Sequence, residues 1–105
     1  MPGVVVPKPL ARLVQSITHG NLWLCILSLA SKNPVYAYAL PGIIQKKFSF
    51  SPSRLMIYLV LYKLEAEGLL SSFESRKRKY YKLTMRGKKC LHDGKKVLKS
   101  WSKRL

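Results

Sequence analysis

The 105-residue chain has the length of a single domain, and 48% of its residues are apolar, so a packed core is expected and wholesale disorder is not. Twenty Lys and Arg against four Asp and Glu give a net charge of +16. So high a net charge destabilises a compact protein by self-repulsion. It therefore indicates a polyanionic partner, and nucleic acid is the leading candidate. Enzymatic chemistry is not expected, since the sequence shows no Ser-His-Asp or Cys-His arrangement and no Gly-rich phosphate loop.

The cysteines and histidines predict neither a metal site nor a cofactor. Cys25 and Cys90 are too far apart for a metal-ligand spacing, and His19 and His92 have no ligand-like neighbours. The longest apolar stretch, Leu22 to Ala30, is too short to span a bilayer. We therefore expect a cytoplasmic, nucleoid-associated protein without a membrane partner.

The first 20 residues predict an arm, residues 1–8, followed by a short helix. Pro9 suits the first turn of this helix, and its apolar residues recur at helical spacing, at Leu10, Leu13, Val14 and Ile17. After a break at His19-Gly20, Asn21 is expected to cap a second helix that runs to about Lys32. This second helix has almost no polar face, so it is either a central core helix or has one side in a subunit interface.

Two helices are predicted between Asn33-Pro34 and Gly68. The first ends near Lys47, and because Pro41-Gly42 fits only a first turn, it either starts late, near Leu40, or is bent. The next is capped at Ser51-Pro52 or Ser53, runs to Glu67, and is ended by Gly68. Its inward stripe is formed by residues at helical spacing, Ile57, Val60, Leu61 and Leu64.

Two short strands, Leu69–Phe73 and Lys79–Leu83, then flank a polar hairpin tip, Glu74–Arg78. Thr84 is expected to cap a long final helix that ends at about Lys103. Apolar or small residues follow this helix at alternating spacings of three and four, namely Leu91, Gly94, Leu98, Trp101 and Leu105. The seam either packs on the chain's own first helices or forms a homodimer, whose interface would comprise Leu91, Leu98, Trp101 and Leu105.

These elements predict a mostly α fold with a small two-stranded β-wing, a winged helix-turn-helix with additional N-terminal and C-terminal helices. The predicted parts are the arm and short helix (1–20), the winged-helix DNA-binding domain (21–84) and the C-terminal dimerisation helix (85–105). Several motifs occur in order: Ala37-Tyr38, Ser53–Tyr58, Leu64–Leu69, Arg76–Lys82, and Leu83-Thr84-Met85-Arg86-Gly87.

In this combination the chain resembles the PadR-like transcriptional regulators, from about Asn21 to Trp101. The resemblance implies dimeric DNA-binding regulators whose dimer contacts come largely from the C-terminal helix. Three positions depart from the family pattern: Ala37 replaces a Gly, Met56 stands where Thr is common, and Leu59 stands where Pro is common. In addition, Pro41-Gly42 has no expected counterpart in the family.

The helix from Ser53 is the expected recognition helix, entering the major groove of double-stranded DNA by its N-terminal end. The Arg54 guanidinium matches the acceptors of guanine, and Ser51 and Ser53 are candidate phosphate donors. Tyr58 corresponds to the Tyr of the family motif and either bonds a phosphate through its hydroxyl or is a half-buried aromatic.

The predicted wing supplies cations to phosphates or to the minor groove. Its tip carries four consecutive cations, Arg76, Lys77, Arg78 and Lys79. Alternation along the second strand places Tyr80 and Lys82 on the DNA side and Tyr81 and Leu83 toward the core.

Other functions remain open. No charged residue occurs from Leu55 to Leu61, which predicts few direct base contacts and favours shape and backbone readout. The main alternative is therefore a sequence-tolerant architectural protein that coats DNA. An RNA-binding protein ranks third, because no exposed aromatic stacking sheet is expected. The sequence offers no signature of an effector pocket.

Overall fold

The computed structural model describes residues 6–105, and this range contains five α-helices and a three-stranded sheet. The elements in chain order are α1 (Lys8–Ile17), α2 (Leu22–Ala30), β1 (Val35–Tyr36), α3 (Leu40–Phe48), α4 (Arg54–Ala66), β2 (Leu70–Ser75), β3 (Arg78–Leu83) and α5 (Met85–Arg104). Short 3₁₀ turns, His19–Asn21 and Ala37–Ala39, precede α2 and α3. The first five residues of the predicted arm lie outside the described residues.

The core forms around α2, whose Ile26 and Leu27 have no exposed surface. α2 is thus a central core helix, with Trp23 and Leu24 partly exposed on one side. The inward stripe predicted for α4 is confirmed, since Ile57, Leu61 and Leu64 are buried and Val60 packs against them. Each such side chain contributes about 1.5–3 kcal/mol of hydrophobic stabilisation when fully buried.

Two predicted caps are present, and each orients an element next to the wing. The Ser53 hydroxyl accepts from the Met56 amide at 3.1 Å at the start of α4. The Thr84 hydroxyl accepts from the Gly87 amide at 3.0 Å and donates to the Gly68 carbonyl at 2.6 Å. Gly68 has φ of +76°, so it ends α4 in the left-handed conformation that glycine adopts without strain.

The start of α3 settles one open expectation, and the side chain of Asn21 before α2 corrects another. α3 begins at Leu40 with Pro41 in its first turn, so the late start is right. The prediction that Asn21 caps α2 is wrong for its side chain, which makes no cap hydrogen bond. Its amide nitrogen donates instead to the Ser16 carbonyl, and its amide oxygen accepts from the Trp23 indole nitrogen at 3.1 Å. The side chain thus ties the end of α1 to α2.

The sheet has one strand more than predicted. β1 pairs antiparallel with β3, with Val35 opposite Tyr81 and Tyr36 opposite Tyr80, giving the order β1-β3-β2. β2 and β3 also extend further than predicted, because charged and polar side chains are compatible with solvent-exposed strand positions. The predicted five-residue hairpin tip is therefore a two-residue turn formed by Arg76 and Lys77. The mostly helical winged architecture itself is confirmed.

The two terminal helices leave apolar surface uncovered within the chain. α1 has no buried residue, although it presents Leu10, Leu13, Val14 and Ile17 along one side. By length and composition alone, the 23 residues Lys8–Ala30 would suffice to cross a membrane. The turn at His19–Asn21 interrupts this segment, however, and its second half is the buried core helix α2. The apolar content of α2 is thus accounted for by the core, whereas that of α1 is not.

The start of α5 approaches the wing so closely that only glycine fits at position 87. A Cβ on Gly87 would lie 2.1 Å from the Leu69 carbonyl oxygen and 2.7 Å from the Leu83 Cδ1. Both contacts are far below van der Waals separation, and one of them is to backbone. The Leu-Thr-x-x-Gly motif thus combines a helix cap at Thr84 with a close contact at Gly87. This contact holds the start of α5 against the base of the β2–β3 hairpin, where β2 begins and β3 ends.

We predict that Gly87→Ala destabilises the protein by about 1–3 kcal/mol, because overpacking against the Leu69 carbonyl outweighs the higher helix propensity of Ala. Urea unfolding measures the effect. Gly42→Ala in α3 is the matched control: a Cβ there meets nothing within 4 Å, so about 0.5–1 kcal/mol of stabilisation is expected. Equal stabilisation by both substitutions would contradict the close contact.

Candidate nucleic-acid interface

The start of α4 is an exposed, positively charged helix end. Arg54 is the first helical residue, directly after the Ser53 cap. The Arg54 guanidinium carbon lies 4.0 Å from the ring centroid of Tyr38, in the turn before α3. By hydrogen bonding and by its charge, this guanidinium lowers the pKa of the Tyr38 phenol. Tyr58 follows Arg54 by four residues, so both lie on one face of α4, and Tyr58 is 53% exposed.

The hairpin tip holds two cations in a backbone conformation that disfavours them. Arg76 has φ of +51° and Lys77 has φ of +63°. Ser75 pairs with Arg78 on either side, so the two residues form a primed turn of the kind in which Asn-Gly is preferred. A side chain in the left-handed region costs about 1–2 kcal/mol per residue. The chain therefore carries two cations at the tip of its hairpin at a cost in stability.

The outward face of the sheet combines aromatic rings with cations. The Tyr80 ring centroid lies 5.7 Å from that of Phe73 on β2 and 5.7 Å from that of Tyr36 on β1. Lys82 Nζ is 6.0 Å from the Phe73 centroid. Of these three rings, Phe73 is 38% exposed and Tyr36 and Tyr80 are half-buried. These rings contact one another and flanking cations, so they form a ladder rather than an open platform for bases.

A continuous series of contacts joins the start of α4 to the hairpin. Arg54 packs on Tyr38, the Tyr38 and Tyr36 centroids are 6.2 Å apart, and the Arg78 guanidinium carbon lies 5.0 Å from the Tyr36 centroid. Each step is a cation–aromatic or an aromatic pair. Arg54 and Arg78, 24 positions apart in sequence, therefore lie on one contiguous surface.

One of the predicted wing cations lies on the other face of the strand. Lys79 shares that face with the buried Tyr81, and its Nζ lies 3.9 Å from the Glu65 Oε1 on α4. Glu65 also accepts a hydrogen bond from the Ser72 hydroxyl. Lys79 thus links β3 to α4, and the structure does not bring it together with Arg76, Lys77 and Arg78.

Ser51, predicted as a possible helix cap, and Leu91, predicted in a dimer interface, have other contacts in the structure. Ser51 does not cap α4; its hydroxyl donates to the Gln45 side-chain oxygen while remaining exposed. Leu91 is buried in the core of its own chain, because the first half of α5 packs on α2. Leu91 is therefore unavailable to a second subunit, whereas Leu98, Trp101 and Leu105 are exposed.

Sequence reasoning missed Tyr36 and Tyr38 as interface residues. The available signal was the alternation across Val35-Tyr36-Ala37-Tyr38, in which the first and third residues are buried. Four residues are too few to separate a strand from the start of a helix by periodicity alone.

Known proteins resemble this chain in both sequence and structure. Residues 26–93 match the model of the transcriptional regulator PadR-like family. A PadR-like transcriptional regulator from Bacillus cereus strain ATCC 14579 is 31% identical with a TM-score of 0.74, over 86% of this chain and 91% of that one. A PadR family transcription regulator from Clostridium difficile R20291 is 27% identical with a TM-score of 0.73, over 78% and 91%.

A third solved structure contains nucleic acid. Bacillus subtilis PadR in complex with operator DNA is 30% identical with a TM-score of 0.61, over 69% of this chain and 45% of that one. A comparison with curated protein sequences gave no match.

We predict that Lys77→Gly stabilises the protein by about 1 kcal/mol, because glycine adopts positive φ without steric cost. Thermal or urea unfolding measures the change. Lys82→Gly removes the same charge from a regular position in β3 and is expected to destabilise by about 0.5–1 kcal/mol. A loss of stability in Lys77→Gly as large as that in Lys82→Gly would show that the turn is not strained.

Proposed function

The chain belongs to the PadR-like family of transcriptional regulators, and on this premise we propose that it is a homodimeric, sequence-specific regulator that binds double-stranded DNA. The operator-bound structure of Bacillus subtilis PadR supports duplex DNA as the partner. The protein would act in the cytoplasm, associated with the nucleoid. Its net charge of +16 supplies the long-range attraction to phosphates.

The contact series from Arg54 through Tyr38 and Tyr36 to Arg78 is the observation that carries this proposal. A duplex can meet the start of a recognition helix and a wing together only if both project from one surface. In the proposed complex, the start of α4 enters the major groove and Arg54 contacts a base edge. Ser53 and Tyr58 donate to phosphates, as does Ser51 once its hydroxyl releases Gln45, and the hairpin reaches phosphates or the neighbouring minor groove.

The strained hairpin supports a binding role for the wing. Arg76 and Lys77 occupy positions where other residues would be more stable. Backbone strain of this kind concentrates where function requires a particular side chain. Tyr80 and Lys82, on the outward face of β3, would extend the contact between the wing and the DNA.

Uncovered apolar surface on the terminal helices supports dimerisation. Trp101 and Leu98 on α5 are 58% and 49% exposed, and the apolar side of α1 is also free within the chain. A ten-residue helix is marginal in water without packing, so α1 needs a cover. A cavity of about 250 Å³ lies between α1, α2 and α5 and is lined by Ile17, Trp23, Leu24 and Leu98 among others. We propose that the second subunit covers α1 and the end of α5.

The outward surface of α4 favours a second candidate, an architectural protein that coats DNA without sequence preference. Leu55, Leu59 and Tyr62 are exposed on this helix, and none of them offers the paired donors and acceptors that read base edges. Selection from a random duplex library, followed by gel-shift titration of selected and scrambled duplexes, separates the two candidates. A regulator keeps a preference of at least about a thousandfold, whereas a coating protein shows none.

We predict that Arg76→Ala combined with Arg78→Ala weakens binding to all duplexes. The slope of log affinity against log salt should flatten by about one for each phosphate that the variant no longer neutralises. Lys95→Ala with Lys99→Ala removes the same charge from the remote, exposed part of α5 and should leave the slope nearly unchanged. A wing variant with the wild-type slope would argue against a role for the hairpin.

We predict that Leu98→Glu or Trp101→Glu yields monomers in sedimentation velocity, because a buried carboxylate would face an apolar partner surface. Met85→Glu, at the exposed start of the same helix, is the control and should sediment as the dimer. Dimers that persist in both α5 variants would place the interface elsewhere.

A further inference from the structure

We infer that Tyr38 is a positioning residue for Arg54 and thereby helps to determine which base the recognition helix reads. This inference rests on the proposed function and adds a specificity determinant outside the recognition helix itself. The observation behind it is the 4.0 Å distance between the Arg54 guanidinium carbon and the Tyr38 ring centroid.

A free arginine at the exposed start of a helix has many rotamers, and binding must select one of them at an entropic cost. Stacking on Tyr38 restricts Arg54 before DNA arrives. With its carbon 4.0 Å from the ring centroid, the guanidinium packs on the ring and keeps N–H donors for the O6 and N7 acceptors of guanine. A preorganised arginine therefore discriminates between bases better than a mobile one.

Tyr38 is itself held in place by the fold. It follows Ala37, which is buried, and precedes α3, whose first residue Leu40 has no exposed surface. The neighbouring Tyr36 is fixed by its pairing with Tyr80 across β1 and β3. The ring that supports Arg54 is thus anchored to the core and the sheet, although 58% of Tyr38 is exposed.

The charge of Arg54 remains available for DNA. Within residues 6–105 the ion pairs are Lys79 with Glu65 and Lys89 with Asp93, and neither involves Arg54. An aromatic ring orients a guanidinium without neutralising it, which a carboxylate in the same place would do.

The test compares wild type, Tyr38→Leu, Tyr38→Phe and Arg54→Ala on a duplex selected by the wild type and on its single-base variants. Arg54→Ala should erase the preference at one guanine. Tyr38→Leu should reduce the preference at that same base pair by about tenfold, within the range for one bidentate contact, and leave the other positions unchanged. Tyr38→Phe should retain most of the preference, because the ring remains.

A double-mutant cycle separates positioning from an independent contact. If Tyr38 acts through Arg54, Tyr38→Leu has no further effect on binding in the Arg54→Ala background. Tyr62→Leu, on the exposed side of α4, is the matched control and should leave the preference at that base pair unchanged. Because Tyr38 is exposed, the Tyr38 variants should unfold in urea at nearly the wild-type midpoint.

Three results would overturn the inference alone. Additive effects in the double variant would mean that Tyr38 contacts DNA by itself. Tighter binding by Tyr38→Leu would mean that the ring sequesters Arg54. A base preference that survives Tyr38→Leu intact would remove the positioning role while leaving the proposed function in place. A wild-type protein without any base preference would instead refute the proposed function and the inference together.

Discussion

Packing of Arg54 and Arg78 on the rings of Tyr38 and Tyr36 joins two parts of the chain that would otherwise be independent. One is the start of a helix that is fixed by the core, and the other is a two-stranded hairpin that protrudes into solvent. With twenty cations and four acids, the protein cannot hold its basic side chains by ion pairs. Aromatic rings provide the alternative, since they orient a cation without neutralising it.

The rest of the fold supports this surface from behind. α2 and the inward stripe of α4 form a core without buried polar side chains in the described residues, so the start of α4 is held rigidly. The contact of Gly87 with the Leu69 carbonyl fixes the base of the hairpin. Glu65, bridged to Lys79 and Ser72, links the hairpin to α4. The candidate interface is therefore positioned by apolar packing and by these polar contacts between the sheet and α4.

Much of this architecture could be predicted from the sequence, because its signals are local. The Ser53 and Thr84 caps, the Gly68 terminator and the stripe of α4 each depend on residues close in the chain. β1 could not be predicted, since its two residues are defined only by pairing with β3, more than forty positions later. The sequence does not predict the position of Lys79 for a related reason. Four consecutive cations suggest one cluster, whereas strand alternation and a glutamate on another element divide them.

Where duplex DNA meets this protein is the central question, and amide chemical-shift perturbation during titration with a duplex answers it directly. We predict that the perturbed amides form one surface, comprising the start of α4 from Ser51 to Tyr58, the turn around Tyr38 and the hairpin from Ser75 to Lys82. Perturbation confined to the lysine-rich outer side of α5, with the amides of Arg54 and Arg76 unmoved, would contradict the account.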